Sequence, residues 1–182
     1  MLSIPGLALH VAVVPEDLQK QLLDMVFGLL DQGRQGLLEG KTYAPVPPNF
    51  APRGQSRELL QFGAYTHSNR VEETAIVAPL PELFLELIDV LEKAAVFDPA
   101  DRPDTCTVNI YSPGNWLPPH VDSLKFQRPF VTVSLQSEAD VLFGLRDELV
   151  SSADGNPPFS GESLRLAMPI GSALRLQGII IS

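Results

Sequence analysis

The chain is poor in the residues that build metal and redox sites from side chains alone. Its 182 residues include one cysteine, Cys106, and three histidines, His10, His67 and His120. A lone cysteine excludes an intramolecular disulfide and any cysteine-rich metal motif, and Cys106 reads as a small core residue on a strand. No run reaches the ~18 to 20 uncharged apolar residues needed to cross a bilayer. The apolar start, MLSIPGLALHVAVVPEDLQ, lacks the basic flank and small-residue cleavage site of a secretory signal. An intracellular setting, cytoplasm or nucleus, is therefore expected. Positive charge is scarce too: 13 Lys and Arg stand against 22 Asp and Glu, a formal charge of -9. That balance gives no general attraction for a phosphate backbone, so any nucleic-acid contact needs a local basic rim, for which Arg57, Arg70, Lys125 and Arg128 are available.

What is present is enough for one domain over 1–182, since a hydrophobic content of 45% supports a sizeable core. Residues from about Leu7 to Val14 read as a strand. Leu18, Leu22, Leu23, Val26, Leu29 and Leu30 then recur at helical spacing behind an acidic start at Glu16 and Asp17. KTYAPVPPNFAPRGQSR reads as a surface loop, and ELLQFGAYTHSN as a strand interrupted at Gly63. A second helix is expected from about Pro81 to Ala95. After DPADRPD the pattern changes to short strands: TCTVNIY, LPPHVD, PFVTVSL, DVLFG, LRLAMPI and SALRLQG. SSADGNPPFSGES reads as a loop. Helices first and strands afterwards imply an α+β domain with a β-rich second half.

One stretch of the second half concentrates polar groups: VNIYSPGNWLPPHVD, residues 108–122. On a strand, residues two apart share a face, so Asn109 and Tyr111 point one way, and His120 and Asp122 do so on the next expected strand. Ser112-Pro113-Gly114-Asn115 suits a type II turn that would bring the two strands side by side. A His and a carboxylate two apart can hold one face of a divalent metal, with a third ligand completing the 2-His-1-carboxylate arrangement that leaves positions open for O2 and a co-substrate. Alone, a His-x-Asp pair is a weak signal, and Asn109 and Tyr111 read equally as cross-strand hydrogen-bonding residues.

The ordered series is more specific. NIYSPGNWLPPHVD, RPFVTVSL, VLFG and GSALRLQG, with IPGLAL near the start and RELLQFGAYTHSN in the middle, resembles the AlkB-like family of Fe(II)- and 2-oxoglutarate-dependent dioxygenases. Within it, the likeness is to the eukaryotic branch that includes RNA N6-methyladenine demethylases. It runs from about residue 4 to 178. The resemblance implies a double-stranded β-helix, or jelly roll, over 101–182, with helical support and a nucleotide-recognition-lid-like region over 1–100. It implies His120 and Asp122 as metal ligands for Fe(II), Asn109 and Tyr111 as hydrogen-bonding partners of 2-oxoglutarate, and Tyr65 and His67 at the substrate mouth, with no catalytic group beyond the metal ligands. It further implies oxidative N-demethylation of RNA or DNA, with 2-oxoglutarate converted to succinate and the methyl carbon leaving as formaldehyde.

The family pattern also has a distal histidine as third ligand, followed by arginines that pair with 2-oxoglutarate. No histidine follows Asp122, and Arg175 reads as a strand residue. The expectation is a truncated form, its closing strands missing, that by itself is inactive or nearly so and exposes a sticky edge at GIIIS. Two further readings remain: a catalytically inactive binding module on the same fold, and a 2-oxoglutarate dioxygenase acting on a protein or small molecule.

Overall fold

A computed structural model of the chain describes residues 6–118, 120–123, 126–144 and 163–177. Along the chain these form β1 (Leu7–His10), α1 (Glu16–Arg34), β2 (Tyr43–Ala44), β3 (Arg57–Phe62), β4 (Thr66–His67), β5 (Arg70–Val71), α2 (Glu82–Lys93), β6 (Cys106–Tyr111), β7 (Phe130–Val133), β8 (Ala139–Gly144), β9 (Ser163–Met168) and β10 (Ala173–Leu176). The order is that of an α+β chain with a β-rich second half. The loop expected at SSADGNPPFSGES lies outside the described residues up to 162, as do Lys125 and the terminal GIIIS.

Helix α1 begins behind Pro15, carries Glu16 and Asp17 in its first turn and Arg34 in its last, so its end charges complement the backbone dipole. Leu18, Leu22, Val26 and Leu30, each four residues apart, are buried. Helix α2 buries Phe84, Leu87, Ile88 and Leu91 in the same way.

The chain divides into two compact units. The first comprises Met1–Gln19, Asp89–Arg102 and Pro118–Ser182. In it β10 lies between β1 and β7, antiparallel to both, and β8 pairs with β9. Phe143, Met168 and Leu174 form a buried cluster, with Leu7, Leu9, Val141, Leu164, Leu166 and Leu176 packed on it. The period of two along each strand thus turns alternate apolar residues of the two sheets toward one core, in the manner of a β-sandwich. Leu142, one place out of register with that core, is exposed. Gly171, at φ +74°, closes the turn between β9 and β10, where Ser172 N–H donates to Pro169 O at 3.1 Å.

The second unit comprises Lys20–Ile88 and Pro103–Leu117. Its sheet has the order β2, β3, β6, with β3 and β6 antiparallel over six residue pairs from Arg57↔Tyr111 to Phe62↔Cys106. Leu60 and Phe62 are buried, and Phe62 meets Phe84 edge to face at 5.4 Å. Cys106 is half-buried on β6, and burial pushes its thiol up to about 12. Gly63 ends β3 because its φ of +79° favours glycine and because a Cβ there would collide with the Asp104 carbonyl. Behind the sheet, Glu58 accepts from Arg34 Nη2 at 2.6 Å and from Tyr43 Oη at 2.6 Å. The Arg34 guanidinium holds the Glu58 carboxyl below the usual carboxylate range.

One expected strand does not form among the described residues: LPPHVD carries none at 117–118 or 120–122, and β6 pairs with β3. Its two successive prolines lack the N–H groups a ladder needs. The Ser112–Asn115 turn does form, with Gly114 at φ +83° and Asn115 N–H donating to Ser112 O at 3.0 Å.

Candidate metal and co-substrate site

The residues singled out in the sequence fall in three groups, two in the second unit and one in the first. Asn109 and Tyr111 stand on the same face of β6. Pairing with β3 places Leu59 opposite Asn109, and Arg57 opposite Tyr111. All four share one face, and the face is open: Asn109 and Tyr111 are exposed, whereas Leu60 and Phe62 on the other side are buried. Partial desolvation raises the Tyr111 phenol above its ordinary value, and the Arg57 charge pulls the other way. Arg57 Nε is buried with no hydrogen-bond partner among the described residues. This face therefore offers a phenol, a carboxamide and a guanidinium, the donor chemistry that a carboxylate ligand takes.

Tyr65 and His67 stand on one side of the β4–β5 hairpin. Its tip, Ser68-Asn69, has both residues at positive φ, 48° and 61°, which matches the right-handed twist of the two short strands. The two rings are parallel within 1°, their centroids 6.3 Å apart. Lys41 Nζ lies 4.5 Å from the Tyr65 ring centroid and is ion-paired with Glu72 at 3.1 Å. The hairpin is tied down by Gln61, 2% exposed, whose Oε1 accepts from Thr66 N–H at 2.8 Å and from Thr66 Oγ1 at 2.8 Å. In the sequence Gln61 was hidden inside the apolar run ELLQF. A polar residue that the pattern forces into the core is the signal for such an anchor.

In the first unit, His120 Nε2 lies 3.7 Å from Asp122 Oδ1, and both side chains are partly exposed. His120 Nδ1 is 3.1 Å from the Pro118 carbonyl. A carbonyl only accepts, so Nδ1 carries the proton, and in the neutral ring the lone pair sits on Nε2, facing the carboxylate. A donor set of one imidazole nitrogen and one carboxylate oxygen at this spacing suits a divalent cation, since both atoms can reach one ion at ~2.1 Å. The Nδ1–H to carbonyl bond is the kind of support that orients a metal-binding imidazole. The residues present thus fit two ligands of such an ion. Among the described residues no group of three or more His, Cys, Asp and Glu comes together.

The 2OG-Fe(II) oxygenase superfamily model matches residues 6–178. The chain belongs to that superfamily. As a member of it, the chain is 39% identical to the RNA demethylase ALKBH9B of Arabidopsis thaliana over 96% of its own length. It is 28% identical to the RNA demethylase ALKBH10B of the same plant, again over 96% of its length. A third relative, the mouse tRNA (carboxymethyluridine(34)-5-O)-methyltransferase ALKBH8, is 28% identical over 73% of this chain. The chain spans 35% and 31% of the lengths of the two Arabidopsis proteins. The solved structure of OsALKBH1 superposes with a TM-score of 0.62 at 19% identity, covering 100% of this chain and 85% of that one. This 2OG-Fe(II) oxygenase domain thus has the AlkB-type jelly-roll fold. Fe(II) and 2-oxoglutarate are the cofactor and co-substrate that the superfamily implies. Among the described residues, no helix is long and apolar enough to cross a membrane.

Proposed function

We propose that this domain removes N-methyl groups from single-stranded or flipped-out bases of RNA. In this reading His120 and Asp122 are two of the iron ligands, Asn109 and Tyr111 hold 2-oxoglutarate, and Tyr65 and His67 contact the substrate base. The observation that carries it is the His120–Asp122 pair at 3.7 Å, with the imidazole tautomer set by the Pro118 carbonyl. Similarity to two RNA demethylases supports the substrate class.

The protein's share of the chemistry follows from these groups. When bound, the iron supplies oxidation by O2 coupled to decarboxylation of 2-oxoglutarate. Asp122 contributes the anionic donor, and the Pro118 carbonyl keeps the proton of His120 on Nδ1 so that Nε2 is free to donate its lone pair. Tyr111 and Asn109 present hydrogen-bond donors on one face of β6, and the Arg57 charge beside Tyr111 favours an anionic ligand there. The parallel rings of Tyr65 and His67 offer flat faces to a base, and Lys41, over the Tyr65 ring, meets a phosphate by exchanging its ion pair with Glu72. Such a surface takes an unpaired base, because a stacked duplex does not expose one. The overall charge of -9 makes this local provision of cations necessary.

The test joins two measurements, each on the parent and on Asp122→Ala. One is equilibrium binding of 2-oxoglutarate in the presence of Mn(II). The other is release of succinate and formaldehyde with an RNA oligomer carrying N6-methyladenine, and with its DNA counterpart. Loss of both in the variant supports the reading. Unchanged 2-oxoglutarate binding in Asp122→Ala overturns the metal assignment. Oligomer binding with no Mn(II)-dependent binding of 2-oxoglutarate favours the non-catalytic binding module.

A further inference from the structure

His120 and Asp122 lie outside any strand of the described residues. The structure supplies them a brace from just before β7. Arg128 Nη2 donates to the main-chain carbonyl of Asp122 at 3.2 Å. The same guanidinium sits over Phe130, its Cζ 4.0 Å from the ring centroid. Phe130 is the first residue of β7 and is held in register with Leu176 of β10. Its ring also meets Phe126 edge to face at 6.1 Å, and Phe126 N–H donates back to Ser123 O at 3.1 Å. Two routes, one polar and one aromatic, therefore run from a sheet residue to Asp122 and its neighbour Ser123.

We propose that Arg128 is a positioning residue for the metal pair: held on the Phe130 ring, it fixes the Asp122 main chain so that the carboxylate meets His120 Nε2. The inference rests on the reading of His120 and Asp122 as metal ligands. Arginine suits the task because a planar, delocalised cation stacks on an aromatic face while its edge N–H groups donate in plane. A lysine ammonium reaches the carbonyl or the ring as a point charge and has no flat face to lay on Phe130. Arg128 Nη1 is buried with no hydrogen-bond partner among the described residues. The contacts given for the guanidinium among those residues are a ring and a carbonyl, the arrangement of an orienting group. Groups that orient metal ligands without touching the ion alter affinity by about 10- to 100-fold when removed.

The test is Mn(II) titration of the 182-residue chain, followed by the loss of the free-ion electron paramagnetic resonance signal, in the parent, His120→Ala, Arg128→Met and Arg128→Lys. Circular dichroism of the metal-free proteins runs alongside. The expected result is loss of binding in His120→Ala, a weakening of about tenfold or more in Arg128→Met with its circular dichroism unchanged, and an intermediate affinity in Arg128→Lys. Should Arg128→Met fail to fold, Arg128→Lys decides: weaker binding than the parent supports the role, and parental affinity overturns it. Parental affinity in a folded Arg128→Met, with binding lost in His120→Ala, overturns the role of Arg128 and leaves the metal reading standing. No binding by the parent, or equal binding by His120→Ala, overturns the metal reading and this inference with it.

Discussion

The two polar pairs that begin and end the stretch from Asn109 to Asp122 are held in different ways. Asn109 and Tyr111 hang from a ladder of six residue pairs, each backbone position fixed by its neighbour on β3. His120 and Asp122 stand on a proline-containing segment with no strand among the described residues, and individual contacts reach it: Pro118 O on one imidazole nitrogen and Arg128 on the Asp122 carbonyl. A ladder spreads its support over many weak bonds, so losing one side chain leaves the frame intact. A segment held by individual contacts is sensitive to each of them.

That contrast can be broken by experiment. The largest effect is expected from Asp122→Ala, which removes the anionic donor: Mn(II) affinity should fall by more than about 100-fold, and melting of the metal-free protein should stay close to the parent's because the side chain is part exposed. A variant that still bound Mn(II) well would show the irregular segment to be no metal site. Gln61→Leu comes next. It strips two Thr66 donors, the N–H and the hydroxyl, of their shared acceptor at a position 2% exposed and should cost about 1–3 kcal/mol, read as a lower melting temperature and faster amide exchange in β4 and β5. Tyr111→Phe should leave stability within about 0.5 kcal/mol, as its ring is exposed on the ladder, yet raise the 2-oxoglutarate concentration needed for half-saturation roughly tenfold through one lost bond to a charged ligand. Equal 2-oxoglutarate affinity in both proteins would take Tyr111 out of the co-substrate site.

The smallest effect concerns the back of the ladder. Arg34 depresses the Glu58 carboxyl, so the stability this pair contributes is present above the ordinary carboxylate range and is lost as pH falls through the lowered folded value. In Arg34→Met that depression is relieved. The acid-unfolding midpoint should then shift to higher pH, as followed by tryptophan fluorescence, and an unshifted midpoint would show the pair to be idle.

Much of the fold could be read from residue order. The helix expected from about Pro81 to Ala95 is α2 at Glu82–Lys93, because Leu83 to Leu91 repeat with a period that only a helix satisfies. TCTVNIY and DVLFG became β6 and β8, since alternation and β-branched residues act locally. LPPHVD misled. Its His-x-Asp spacing looks like a strand, but ladder formation needs N–H groups that its prolines lack. Gln61 and Arg128 were legible only in part: their partners, Thr66 across a glycine turn and Asp122 with Phe130 around a loop, are set by tertiary geometry that no window of sequence contains. The two-residue spacing of Asn109 and Tyr111, and of His120 and Asp122, was visible in the sequence, whereas the Arg57 partner of Tyr111 required the β3–β6 register.

Cys106 has a practical bearing on how such measurements can be made. Thiol-directed reagents attack the thiolate, and burial raises the Cys106 thiol and so favours its neutral form. Folded Cys106 should therefore react slowly with maleimides and iodoacetamide, without any substitution in the core. A cysteine introduced at exposed Val71, beside the Tyr65–His67 hairpin, would take a spin label or fluorophore selectively and report on that arm by itself. Cys106 should react faster once β6 leaves the sheet, which gives the same molecule a built-in chemical clock for opening.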